Sequence, residues 1–175
     1  LDPQRIFRFS TKTANYVVNT GIYPYFTNND QISISNSGVV EQNGLAGPFS
    51  NNLNAIRFYI VDSLSLTPLK NQMVGSGGQY GSYSPQAINS SQLPGYFQFD
   101  ISTTAARNVV RNFINNNIST GNVVIMSNSG ANNTHFVSEW QSDPSPSMYT
   151  ALLSLGFTGI NQITADVPFV FAARN

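Results

Sequence analysis

The chain has 175 residues, eight basic and eight acidic, and only 9% of it is charged, against about 25% in an ordinary soluble domain. Asn and Ser replace the missing charge and make up roughly a quarter of the chain, while 41% hydrophobic residues, with twelve Phe and eight Tyr, suffice for a core. There is no Cys, no cluster of Lys and Arg, and no run of about 18 apolar residues, which excludes disulfides, thiolate zinc, a Cys nucleophile, nucleic-acid binding and a membrane-spanning helix.

Leu1 stands where a start Met would, and no signal-like apolar stretch follows, as in a piece of a longer protein or a chain whose start was removed. Residues 5–9, 16–18 and 31–35 alternate apolar and polar side chains and are predicted as short strands. Gly21, Pro24 and the run Asn28-Asn29-Asp30 between them are turn chemistry. Residues 36–54, rich in Asn, Ser and Gly, are predicted as a loop. Residues 1–50 are thus expected to form a β-rich arm on a main domain at 51–175.

Residues 55–62 make the strongest strand, with Ile56, Phe58 and Ile60 on one side and Arg57, Tyr59 and Val61 on the other. Residues 63–68 turn the chain, and 70–74 are expected to pair back as a hairpin. Residues 75–83, dominated by Gly and Ser, are expected to be a flexible loop carrying Tyr80 and Tyr83. Residues 96–100 form a further strand with Phe97 and Phe99 on one face.

The clearest helix begins at Ser102, Thr103 or Thr104, all good N-caps. Ala105, Ala106, Val109, Val110, Phe113 and Ile114 supply its apolar stripe, with Arg107 and Arg111 on the polar side. Residues 122–126 read as a short central strand and 127–134 as a polar loop. A second helix is expected near Ser145-Pro146, with Met148, Leu152 and Leu155 on its buried face and Gly156 as its stop. Residues 169–172 close the chain as a strand.

The ordered elements resemble the GG domain, also called the interleukin-like EMT inducer domain. The match runs over residues 38–175. It rests on the strand at 55–62, the helix ending in Phe113-Ile114, and the strand Gly121-Asn-Val-Val-Ile-Met126. It continues through Leu153-Ser154-Leu155-Gly156, Ile160, Ile163 and Asp166 to Phe169-Val170-Phe171. Where the family ends in glycines and a Lys, this chain has Ala172-Ala-Arg-Asn175. The resemblance implies an α+β fold: a compact twisted β-sandwich or mixed sheet with two main helices, non-enzymatic and without cofactors. The family includes cytokine-like proteins, the stem of a mannose-linked glycosyltransferase, and hinge connectors of phage long tail fibres. Low charge and absent Cys match its phage branch. The expected role is therefore structural: a tail or tail-fibre component of a phage virion that contacts its tail neighbours or itself.

Catalytic patterns are thin. His135 is the one histidine, and no Ser sits in a Gly-x-Ser-x-Gly elbow. Asp62, Asp100 and Asp166 are expected to serve turns and strand ends rather than acid–base chemistry. The run at 75–81 lacks the Gly-Lys-Ser/Thr ending of a phosphate loop. A second class of function, a carbohydrate- or receptor-binding module that meets a host glycan, would use Tyr80, Tyr83 and Trp140. The plainer reading of Trp140 is core packing.

Overall fold

The computed structural model describes residues 4–10, 15–22, 30–36, 39–43, 55–65, 67–74, 77–81, 97–129, 137–163 and 169–175. The N-terminal strands β1 (Gln4–Ser10), β2 (Asn15–Ile22), β3 (Asp30–Asn36) and β4 (Val39–Asn43) form an antiparallel meander in chain order. Its register sets Phe7 opposite Val18 and Val18 opposite Ile34. The predicted loop at 36–54 is corrected at 39–43, because β4 pairs with β3 across a register shift between Ile34 and Ser35. Two valines followed by three polar residues show no period-two pattern, so only the ladder defines this strand.

The second sheet has the order β10-β9-β5-β8 and is antiparallel throughout. Its strands are β5 (Ala55–Val61), β8 (Phe97–Asp100), β9 (Val123–Ser129) and β10 (Val170–Arg174). The β-branched and aromatic residues of β5 suit an interior strand. The hairpin arm expected at 70–74 does not pair back onto β5. Pro68 and Leu69 do so instead, the Leu69 N–H donating to the Ile60 carbonyl at 2.8 Å. Residues Met73–Val74 (β6) pair with Gly77–Gly78 (β7) in a small ribbon of their own. The predicted polar loop at 127–134 is likewise corrected at 127–129, which continue β9.

Helix α1 (Thr104–Asn117) joins β8 to β9, which run parallel with β5 between them. Thr103 caps it, its hydroxyl accepting from the Ala106 N–H. Helices α2 (Val137–Ser142) and α3 (Met148–Ser154) and a 3-10 turn (Ile160–Gln162) link β9 to β10. The sequence shows α3 but not α2, whose six residues are too short for a periodic signal. Ser147 and Thr150 form a capping box at the start of α3. Gly156, at φ +92, ends it in the left-handed region that glycine favours.

The helices cover the face carrying Ile56, Phe58, Ile60, Phe97, Phe99, Val124 and Met126. Phe113 of α1 is the hub of that core. Its ring centroid lies 4.8 Å from Phe99, 4.9 Å from Phe97, 5.5 Å from Tyr80 and 6.0 Å from Phe58. Ala105 and Val109, placed in the apolar stripe by sequence, face solvent instead, and the stripe is Arg107, Val110, Phe113 and Ile114. The opposite face is also buried along β5, β8 and β9, where Ala55, Tyr59, Val61, Gln98, Ile125 and Ser127 are all buried. Among the described residues the fold is α+β, with two four-stranded antiparallel sheets, a two-stranded ribbon and three α-helices. Among the described residues, no helix is long and apolar enough to cross a membrane.

Candidate functional site

The densest polar cluster joins the start of α1 to the segment after α2. The Arg107 guanidinium grips Asp143 with two bonds, Nε to Oδ2 at 2.6 Å and Nη2 to Oδ1 at 2.9 Å. Nη1 donates to the Ile101 carbonyl at 2.8 Å and, more loosely, to Glu139 Oε2 at 3.4 Å. The Thr104 hydroxyl completes the set by donating to Asp143 Oδ1 at 2.7 Å. Both charged side chains of the main pair are only 5% exposed, whereas Glu139 is 42% exposed. The bonds from Arg107 hold the Asp143 carboxyl below its usual range, outweighing burial, and the Thr104 bond and the guanidinium charge act the same way. A carboxylate so occupied is no proton donor near neutral pH. The cluster is a structural clamp.

Arg107 was expected on the polar side of α1, and the structure corrects this. At i, i+3 and i+7 it shares the stripe of Val110 and Ile114, and burial is offset by the fork-shaped pairing that a guanidinium makes with a carboxylate.

A groove of about 200 Å³ runs between α1 and α3, lined by Arg111, Asn115, Pro146, Ser147, Thr150, Ala151 and Ser154. It is smaller than the usual ligand pocket of about 300–1,000 Å³. Four of its polar side chains are committed to the chain itself. Arg111 donates to the Pro146 carbonyl at 2.7 Å, Ser147 and Thr150 bond each other in the capping box, and Ser154 donates to the Ala151 carbonyl at 2.7 Å.

On the far face of the sheet, Gln98, Arg57 and Ser127 lie in one cross-strand row. Arg57 Nε donates to Gln98 Oε1 at 2.5 Å, and the buried Gln98 Nε2 and Ser127 Oγ have no hydrogen-bond partner among the described residues.

Of the three sequence-predicted contact residues, Trp140 and Tyr80 lie among the described residues. Trp140 is 1% exposed and belongs to the helix-side core; the packing reading describes it, and it offers no open face to a sugar ring. Tyr80 is half-buried, and its ring lies on Phe97 and Phe113. Its backbone is held by the buried Asn71, which donates to the Tyr80 carbonyl at 2.7 Å and accepts from its N–H at 3.1 Å. The flexible loop expected there is thus corrected over 77–81: that stretch is pinned. The Tyr80 hydroxyl still reaches the surface, accepting from Gln79 at 3.2 Å. Tyr83, His135 and Asp166 lie outside the described residues.

Asp62 and Asp100 do serve turns. Asp62 Oδ1 accepts from the N–H groups of Leu64 and Ser65 and from the Ser65 hydroxyl, and Asp100 accepts from the N–H and hydroxyl of Ser102. Among the described residues no three His, Cys, Asp or Glu side chains gather as a metal would need. Neither protein-family models, nor curated proteins, nor solved structures show a match to this chain.

Proposed function

We propose that the chain is a non-enzymatic structural protein of a phage virion, a tail or tail-fibre component that works by packing against its neighbours. The observation that carries this reading is the division of the strands into separate sheets. Strands β1–β4 form their own ladder and share none with β5, β8, β9 or β10, in keeping with a β-rich arm at 1–50 beside a body at 51–175. Four antiparallel strands of near-neutral sequence are suited to lying against, or extending, a neighbour's sheet.

The body is read as a GG-like domain. The burial of Tyr59, Gln98, Ile125 and Ser127 on the face away from the helices favours the compact sandwich of that family, with a second layer there. A host-glycan module is the weaker reading, because Trp140 is enclosed and the Tyr80 ring packs on Phe97 and Phe113.

Mass spectrometry and immunogold labelling of purified particles test the proposal. The chain is expected in the tail, and its absence from particles made by the same host would overturn the virion reading. Deleting residues 1–50 is expected to leave 51–175 folded by circular dichroism but absent from particles. Normal incorporation of the truncated chain would overturn the role given to the arm.

A further inference from the structure

We propose that the outer edge of β10 is a self-association site, through which two copies of this chain join antiparallel about a two-fold axis at Ala172. The inference goes beyond the virion reading and does not depend on it.

The two edges of the main sheet differ. On the β8 side, the chain at Gly81 lies against the strand so closely that a Cβ there would stand 2.5 Å from the Gln98 carbonyl oxygen. Among the described residues, strand β10 has no such cover. Asn175 turns both backbone groups inward, its N–H to the Asn122 carbonyl at 2.9 Å and its carbonyl to the Gly121 N–H at 2.5 Å. Backbone groups alternate sides along a strand, so those of Ala173 and Phe171 also face β9, and those of Ala172 and Arg174 point away. Among the described residues these outward groups have no backbone partner, and Ala172 and Arg174 are exposed.

Edges are normally guarded by a proline, a bulge or a charge. Strand β10 has no proline, and its register with β9 is unbroken. Its one charge is drawn aside, Arg174 Nε donating to the Gly121 carbonyl at 3.2 Å.

The strand complements itself. Pairing about Ala172 sets Ala172 opposite Ala172, exchanging both backbone bonds, and Val170 opposite Arg174. Phe171 then falls opposite Ala173 at a closely spaced, non-hydrogen-bonded position, a large side chain against a small one. Phe171 is already steadied by Phe157 and Phe169, at 5.3 and 5.6 Å. The two Arg174 residues lie at opposite ends of the joint, so no like charges meet, and a chain of zero net charge adds no long-range repulsion.

Sedimentation velocity of the full chain over a concentration series tests this, with Ala172→Pro and Ala172→Asp beside the wild type. Proline at 172 removes only an outward N–H and is tolerated on such an edge, while aspartate sets two like charges face to face. The wild type is expected to dimerise, and both variants to stay monomeric with unchanged circular dichroism at concentrations where it does. Hydrogen exchange adds a readout free of substitutions: the Ala172 and Arg174 amides should exchange more slowly as wild-type concentration rises. A wild type that remains monomeric, a dimer that survives in a folded variant, or exchange at both amides that ignores concentration would each overturn the proposal.

Discussion

Arg107 and Asp143, 36 residues apart in sequence, are locked by two parallel bonds of 2.6 and 2.9 Å in a setting where both side chains are 5% exposed. This pair ties the first turn of α1 to the end of α2, and so holds two of the covering helices in place over the sheet. Removing one partner strands a buried charge. Arg107→Ala should therefore cost about 3–5 kcal/mol in urea unfolding, whereas the double replacement Arg107→Met with Asp143→Leu should cost far less. Equal losses in the two variants would show that packing, not the charge pair, dominates.

Acid should weaken the same clamp. The Asp143 carboxyl is held below its ordinary 3.8, chiefly by the Arg107 hydrogen bonds. The Asp62 carboxyl is also lowered, first by the Ser65 N–H, then by the Ser65 hydroxyl and the Leu64 N–H. A lowered folded-state value means that as pH falls the unfolded chain takes up the proton first. The stabilisation is thus present above the unfolded value and is lost as pH drops through the folded one. The stability gap between wild type and Asp143→Asn, followed by denaturant titration from neutral pH downward, should narrow below about 3.8. A gap independent of pH would contradict the assignment.

Two glycines should respond unequally to alanine. Gly156 has φ +92, and an added Cβ would meet nothing nearer than the Ala173 Cβ at 3.7 Å, so Gly156→Ala should cost about 1–2 kcal/mol of backbone strain. Gly81 combines φ +105 with a Cβ position 2.5 Å from the backbone oxygen of Gln98. Its replacement must also push that strand aside, so the drop in melting temperature should be clearly larger for Gly81→Ala.

Trp140 is the only Trp and is a built-in reporter of the core. Its emission should be blue-shifted in the folded protein and resist quenching by iodide, moving to the red on unfolding. Trp140→Ala should cost about 3–5 kcal/mol, the usual loss for a buried large aromatic. Ready quenching in the folded state would mean that the ring is open to solvent.

By itself the sequence determined the features that act within a few residues. The alternation at 55–62 places Ile56, Phe58 and Ile60 together, a cap among Ser102, Thr103 and Thr104 with a stripe through Val110, Phe113 and Ile114 marks α1, and Gly156 stops α3. Each follows from backbone sterics or side-chain periodicity inside a short window, and so do the turn roles of Asp62 and Asp100. The low charge and the absence of Cys also belong to the sequence alone. The tertiary structure decided what joins distant residues: the order β10-β9-β5-β8, the strand at 39–43, the pairing of β6 with β7, and the burial of both faces of β5. It also turned Trp140 inward, pinned Tyr80 through Asn71, and buried Arg107 against Asp143. An arginine at a stripe position has the same local pattern whether it meets water or a carboxylate, and only the fold that brings Asp143, just after α2, to the first turn of α1 supplies the carboxylate. A strand end such as 170–174 likewise carries no mark of being an open edge. That depends on which strand lies beside it, and among the described residues β9 lies on one side only.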